Sequence, residues 1–360
     1  MTQQNTAGSG RTDPRIDVAA LAEQLLGQWA EDRRTSRRLA GRDDLQRIEG
    51  QSMDEHRERV FNQLSILVDE GAIQRAFPET MGGANNHGGN IAAFEELVVA
   101  DPSLQIKAGV QWGLFGSAVQ HLGSTEHHQK WLPGIMNLEI PGAFAMTEIG
   151  HGSDVASIDT TATYDPATEE FVIHTPFRAA WKEFLGNAAK HGRAAVVFAQ
   201  LITNGVKHGV HAFYVPIRDD NGFLPGVGGE DDGLKGGLNG IDNGRLHFTQ
   251  VRIPRTNLLN RYGDVAVDGT YTSPISSPGR RFFTMLGTLV QGRVSLDGAA
   301  IVASKLALDI AVRYGLERKQ FTTVDDINET TLLDYQQHQR RLMPAIASVY
   351  ASAFAHEKLL

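Results

Sequence analysis

Cysteine is absent from the 360 residues, which excludes disulfides, thiolate nucleophiles and cysteine metal sites. No uninterrupted apolar run reaches about 18 residues, the length a membrane-spanning helix requires. Positive charge is also short. Lys and Arg number 34 against 42 Asp and Glu, a formal net charge of −8. That balance disfavours nucleic acid as a partner, because such affinity rests on cationic contacts with phosphate. An anionic small ligand stays open, since a few local donors hold it. No apolar segment of secretory type follows Met1, and MTQQNTAGSGRTD, residues 1–13, reads as a disordered polar tail. With no targeting signal visible, a cytoplasmic location is the default expectation. The far end, YASAFAHEKLL, has neither a C-cap glycine nor a polar fade-out, and reads as a chain cut inside a helix.

What is present is ordinary for a globular protein: 41% hydrophobic and 21% charged residues, in a length that suggests two or three domains. Periodicity divides the chain into three zones. Over 14–140 the spacing is helical, with Leu21, Leu25 and Trp29, and later Val60, Leu64 and Leu67, three to four residues apart. Over 141–275 it changes to short strands: TTATYD, EFVIHT, AAVVFAQLI, HAFYVPI and RLHFTQVRIP, with no helices between them. This indicates an antiparallel barrel or sandwich rather than a dinucleotide-binding βαβ fold. The segment LPGVGGEDDGLKGGLNGIDNG is too rich in Gly and Asp to form a regular element, and no GxxxxGK[ST] marks a phosphate loop. Over 276–360 helical spacing returns, with Ala299, Val302, Leu306 and Ile310 on one stripe and a second helix from about Thr331. The fold class expected is an N-terminal helical domain, a central antiparallel β domain and an incomplete C-terminal helical bundle.

Between the first two zones lies AFAMTEIGHGSD, Ala143–Asp154. Its glycines permit close backbone approach to a ligand, and Thr147 and Ser153 offer hydroxyls to polar ligand edges. The plainer alternative is a loop that ends a strand, with Ser153 capping a turn. The 13 histidines show no metal spacing backed by carboxylates, so no metal site is expected.

TEIGHGSD, TTATYDPATEEFVIHTP, VVFAQLI, HAFYVPIRD and DNGRLHFTQVRIPRTNLLNR, in that order, resemble the acyl-CoA oxidase branch of the acyl-CoA dehydrogenase superfamily. The resemblance is colinear from roughly Gln111 to Leu360. It implies FAD held between the β domain and the C-terminal helices, and oxidation of a fatty acyl-CoA to the trans-2-enoyl-CoA with oxygen as electron acceptor. It assigns Thr147 to the flavin ring system and Ser153 to the acyl-CoA. WKEFLGNAAKH, Trp181–His191, resembles the oxidase segment KWWPGGLGK and sets Gly186 against the flavin, although Glu183, Phe184 and Leu185 depart from that pattern.

ERKQF, Glu317–Phe321, resembles a signature whose arginine contacts FAD phosphates across a subunit interface, which implies Arg318 and Gln320 as cofactor contacts in a homodimer. Arginine suits that task through its planar fork, and a cationic helix C-terminus is the alternative. Arg293 is a candidate for a CoA phosphate, equally readable as a solvated arginine. The family's catalytic glutamate has no counterpart after Phe321: Glu329 and Glu357 sit in unsuitable segments. No catalytic residue is therefore assigned to this chain. Two alternatives stand beside the oxidase: a dehydrogenase with an electron-transfer partner, and a noncatalytic FAD- or CoA-binding subunit. A eukaryotic source would imply a peroxisomal location.

Overall fold

The computed structural model describes residues 16–322 and 327–360, so the expected tail, 1–13, lies outside the described residues. Helices come first: α1 (Val18–Leu26), α2 (Ala30–Ala40), α3 (Met53–Asp69), α4 (His87–Glu96), α5 (Pro102–Ala108), α6 (Ser117–Leu122) and α7 (Thr125–Met136). Local chemistry starts several of them. At α3 the Ser52 hydroxyl accepts from the Glu55 N–H while the Glu55 carboxylate accepts from the Ser52 N–H, a reciprocal cap. At α5 the Asp101 side chain caps a helix whose first residue is proline. Between α5 and α6 the helix widens without a break into π turns, Gly109–Gly116.

The central region holds β1 (Gly142–Ala145), β2 (Thr161–Asp165), β3 (Glu170–His174), β4 (Lys182–Leu185), β5 (Ala194–Thr203) and β6 (Val206–Pro216). A short hairpin of β7 (Arg218–Asp219) and β8 (Gly222–Phe223) precedes β9 (Val227–Asp231), β10 (Gly244–Phe248) and β11 (Val251–Pro254). One sheet runs β1-β5-β2-β3-β11 with β6 also on β5, and a second runs β4-β10-β9.

Two expectations are corrected here. The larger sheet is mixed, because β1 and β2 both pair parallel to β5, β1 through Ala194–Val197 and β2 through Gln200–Ile202. They lie end to end on one edge of β5 as a single interrupted strand, so the sequence between them is an excursion rather than a hairpin. The Gly- and Asp-rich segment also contains a regular strand, β9. Its glycines let β10 come close: a Cβ on Gly228 would lie 2.3 Å from the His247 ring, and one on Gly229 2.3 Å from the Arg245 carbonyl.

β5 explains its own unbroken apolar run. Ala194, Val196 and Phe198 join the core of the N-terminal helices, while Ala195, Val197, Ala199 and Leu201 face the second sheet. A strand buried on both faces shows no alternation.

After the β region come α8 (Pro278–Leu286), α9 (Val290–Glu317) and α10 (Gln336–Leu359). The stripe read on α9 is only half buried: Ala299 and Val302 are covered, whereas Leu306 and Ile310 are exposed. The last helix begins at Gln336, not Thr331, because Glu329–Thr331 pairs as a strand with Lys319–Thr322. A largely buried polar cluster holds α10 against α9 and the first helices. His356 bridges Glu95 at 2.5 Å and Asp297 at 2.9 Å, and Arg33 meets Glu95 at 2.7 Å. Among the described residues no helix is long and apolar enough to cross a membrane.

Candidate functional site

The excursion between β1 and β2 carries Thr147. Its strand-like start runs beside β4: the Glu183 N–H donates to the Thr147 carbonyl at 3.1 Å, and the Thr147 hydroxyl donates to the Glu183 carbonyl at 3.2 Å. Farther along, the Ile149 and Gly150 N–H groups donate to Trp181 and Ala179. Glu148 is buried beneath. Its carboxylate accepts from the Asp159 and Thr160 N–H groups and from Lys182 Nζ at 3.0 Å. Burial alone would raise the Glu148 carboxyl, but Lys182 and those donors hold it below the usual range. Burial also pushes the Lys182 ammonium down to about 8, against the attraction of Glu148.

Gly186 follows β4 by one residue. The next residue, Asn187, has φ +66° and donates from its side chain to the Gly142 carbonyl at 2.8 Å, tying this turn to the start of β1. Thr147 and Gly186 therefore sit on adjoining backbone segments. A Cβ on Gly186 would come within 2.7 Å of Val110 in the π turns, so only glycine fits without displacement. Val110 in turn lines an apolar cavity of about 190 Å³, with Leu39, Leu67, Phe94, Trp112 and Leu296 among its walls. The cavity is roofed by the first turns of α9, through Gln291, Gly292 and Ser295.

The remaining candidates fall elsewhere. Ser153 is exposed in the turn after Gly152, its carbonyl accepting from the Val155 N–H, and its hydroxyl has no hydrogen-bond partner among the described residues. Arg293 is exposed in the first turn of α9, next to the roof residues but outside the cavity lining. Arg318 is the C-cap of α9, at the helix C-terminus that the alternative reading expects, and donates to Gln320 at 3.0 Å. From Leu296 to Arg318 the helical rise is about 33 Å, so Arg318 and Gln320 are not brought to Thr147 and Gly186 within one chain. Glu329 is exposed. Glu357 accepts from the Gln28 N–H at 2.8 Å and faces Arg33, a packing role.

Two features escape sequence reasoning. Phe184, beside Gly186, is 62% exposed and has φ +59°. A bulky residue in the left-handed region marks a constrained position, which here adjoins the Gly186 turn. The π turns are the second, and Gly109, Gly113 and Gly116 inside a helical pattern are their only sequence signal. His151, which sequence alone reads as a packing or hydrogen-bonding residue of the glycine loop, has its ring 3.7 Å from Asp159 and 3.9 Å from Glu148, three residues before it. Both Glu148 oxygens are already committed to Lys182 and two N–H groups.

Helices stand on both sides of a small two-sheet unit in which a Gly-rich excursion meets a glycine turn, and the family matches place this chain in the acyl-CoA dehydrogenase superfamily. Residues 33–139 match its N-terminal domain and 143–251 its middle domain, while 286–360 match the acyl-CoA oxidase C-alpha1 domain. The peroxisomal acyl-coenzyme A oxidase 2 of Arabidopsis thaliana is 48% identical over 322 residues, covering 87% of this chain and 46% of that protein. Among solved structures, acyl-CoA oxidase 1 from Yarrowia lipolytica superposes with a TM-score of 0.81 at 32% identity, over 91% of this chain and 47% of that one. Acyl-CoA oxidase-2 of Caenorhabditis elegans, bound with FAD, ascaroside-CoA and ATP, gives 0.79 at 30% identity, over 96% and 51%. The chain belongs to the acyl-CoA oxidase family, and spans about half the length of the relatives it matches.

Proposed function

We propose that this chain forms the flavin and acyl half of a fatty acyl-CoA oxidase, with FAD against Thr147 and Gly186 and the acyl chain in the apolar cavity. One observation carries the reading: Val110 lines that cavity and also abuts Gly186, so an acyl chain held there would have its thioester end beside the flavin-facing turn. The residues fit the group. Gly186 is a partly exposed backbone turn that packs on Val110, Thr147 beside it is partly exposed, and Phe184 presents an aromatic face. Bound there, FAD would supply the hydride acceptor, with oxygen as the final electron acceptor. The chain's own residues orient the ring, exclude water around the acyl chain, and offer Ser153 and Arg293 to the CoA moiety.

No cavity-lining residue among those described is an aspartate or glutamate. The α proton of an acyl thioester needs a positioned base, worth about 10²–10⁴-fold. The chain alone should therefore bind without turning over. The rise of about 33 Å along α9 from the cavity roof to Arg318 supports contact of Arg318 and Gln320 with the flavin of a second copy. The peroxisomal relatives support that compartment over the cytoplasm.

The test is a titration of the purified chain with FAD, then with acyl-CoAs of several lengths, followed by peroxide assay. FAD should quench in fluorescence, Thr147→Val should weaken binding about tenfold, and no peroxide should form. Absence of FAD binding overturns the proposal, and peroxide formation abolished by Glu329→Gln or Glu357→Gln overturns the assignment of no base.

A further inference from the structure

Two lysines are wholly buried among the described residues, Lys107 and Lys182, and each is paired with a carboxylate that is equally buried, Asp242 and Glu148. Each pair lies directly behind one of the two flavin-facing candidates. Lys182 Nζ donates to the Met146 carbonyl and to Glu148, on either side of Thr147. Lys107 Nζ donates to Asn187 Oδ1 at 2.7 Å, one residue from Gly186, and to Asp242. The other Asp242 oxygen accepts from the Lys190 and His191 N–H groups at 2.9 and 2.8 Å, and the His191 ring completes the cluster 3.1 Å from Lys107. Asp242 is held well below the carboxylate range: burial opposes this, and Lys107 and His191 outweigh burial.

The two pairs differ in origin. Lys182 belongs to β4, within the β region, whereas Lys107 reaches in from α5, three residues ahead of Val110. A buried ion pair gains little stability over apolar side chains of similar volume. Stability therefore does not account for a lysine at this place, and geometry does: Asn187 must hold φ +66° while bonding Gly142, and Lys107 fixes the side chain that does so.

We infer that Lys107 is a positioning residue for the Gly186–Asn187 turn, making FAD affinity depend on how the N-terminal helices dock. This rests on the reading that Gly186 lies against the flavin. The experiment is FAD titration of the full 360-residue chain, with visible spectra and thermal melts. Lys107→Met with Asp242→Asn removes both charges together; it should melt near the wild type, yet raise the FAD dissociation constant at least tenfold and shift the flavin absorption bands. Asn187→Gly, which tolerates the positive φ and deletes the acceptor, should do the same. His127→Phe cuts another contact between the helices and the β region, the bond to the Thr256 carbonyl, without touching the turn or the Lys107–Asp242 pair. It should lower the melting temperature and leave FAD affinity within about twofold. Wild-type affinity and spectrum in both turn variants would reduce Lys107 to a structural role and overturn the inference. Failure of the wild type to bind FAD would overturn the flavin reading, and this inference with it.

Discussion

His211 is 1% exposed, and both ring nitrogens are engaged: Nδ1 with the Gly209 carbonyl at 3.0 Å and Nε2 with the Tyr271 hydroxyl at 2.9 Å. A neutral imidazole satisfies both, donating to the carbonyl and accepting from the phenol. Burial depresses its pKa to about 4 from the ordinary 6.5. The unfolded chain then binds a proton that the folded chain refuses, so this contribution is intact above pH 6.5 and is lost as pH falls toward 4. The difference amounts to about 3 kcal/mol. Replacing His211 with Gln should flatten that part of the stability curve, and denaturant melts of both proteins at pH 7 and pH 4.5 measure it. An equal loss in both would show that His211 does not titrate this way. Single residues were picked out as candidates where a short motif gave each a local reason, as with Thr147 among glycines. Lys107 and Asp242 were not, because 135 positions separate them and a lysine in a helix looks like a solvated face.

At the scale of elements, the π turns connect the cavity to the glycine turn. Gln111 donates to the Ile140 carbonyl and accepts from the Gly142 N–H, so these turns also set where β1 begins. Gly186→Ala would drive a methyl into Val110, an overpacking that should cost about 1–3 kcal/mol. Adding Val110→Ala should return most of that loss, and a double-mutant cycle from thermal melts reads the coupling. Additive losses would mean that the two positions do not touch. The order of elements, helices then strands then helices, could be read from periodicity alone. Strand partners could not. β1 and β2 share one edge of β5 because the excursion leaves and rejoins the same line, and nothing in either strand's composition records a partner. β9 was hidden because glycine is depleted in strands, and its reason for being there is the close approach of β10.

At the scale of the whole molecule, two cores meet on β5, one beneath the helices and one between the sheets. β1 presses on the π turns so closely that a Cβ on Gly142 would fall 2.1 Å from the Phe115 ring. The sequence divides near residue 141, but the packing does not. Seen as a question of interchangeable parts, residues 141–275 are therefore not a module that can be cut out or grafted. Freed of its helices, the segment would present Val196, Phe198, Val210 and Tyr214 to water and leave Asp242 without its cation. Expressed alone it should aggregate or melt without cooperativity, as calorimetry and light scattering would register. Recombination between relatives should likewise tolerate joints in the exposed turn between β2 and β3, residues 166–169, far better than joints at Pro141, where a change of period looks most like a border.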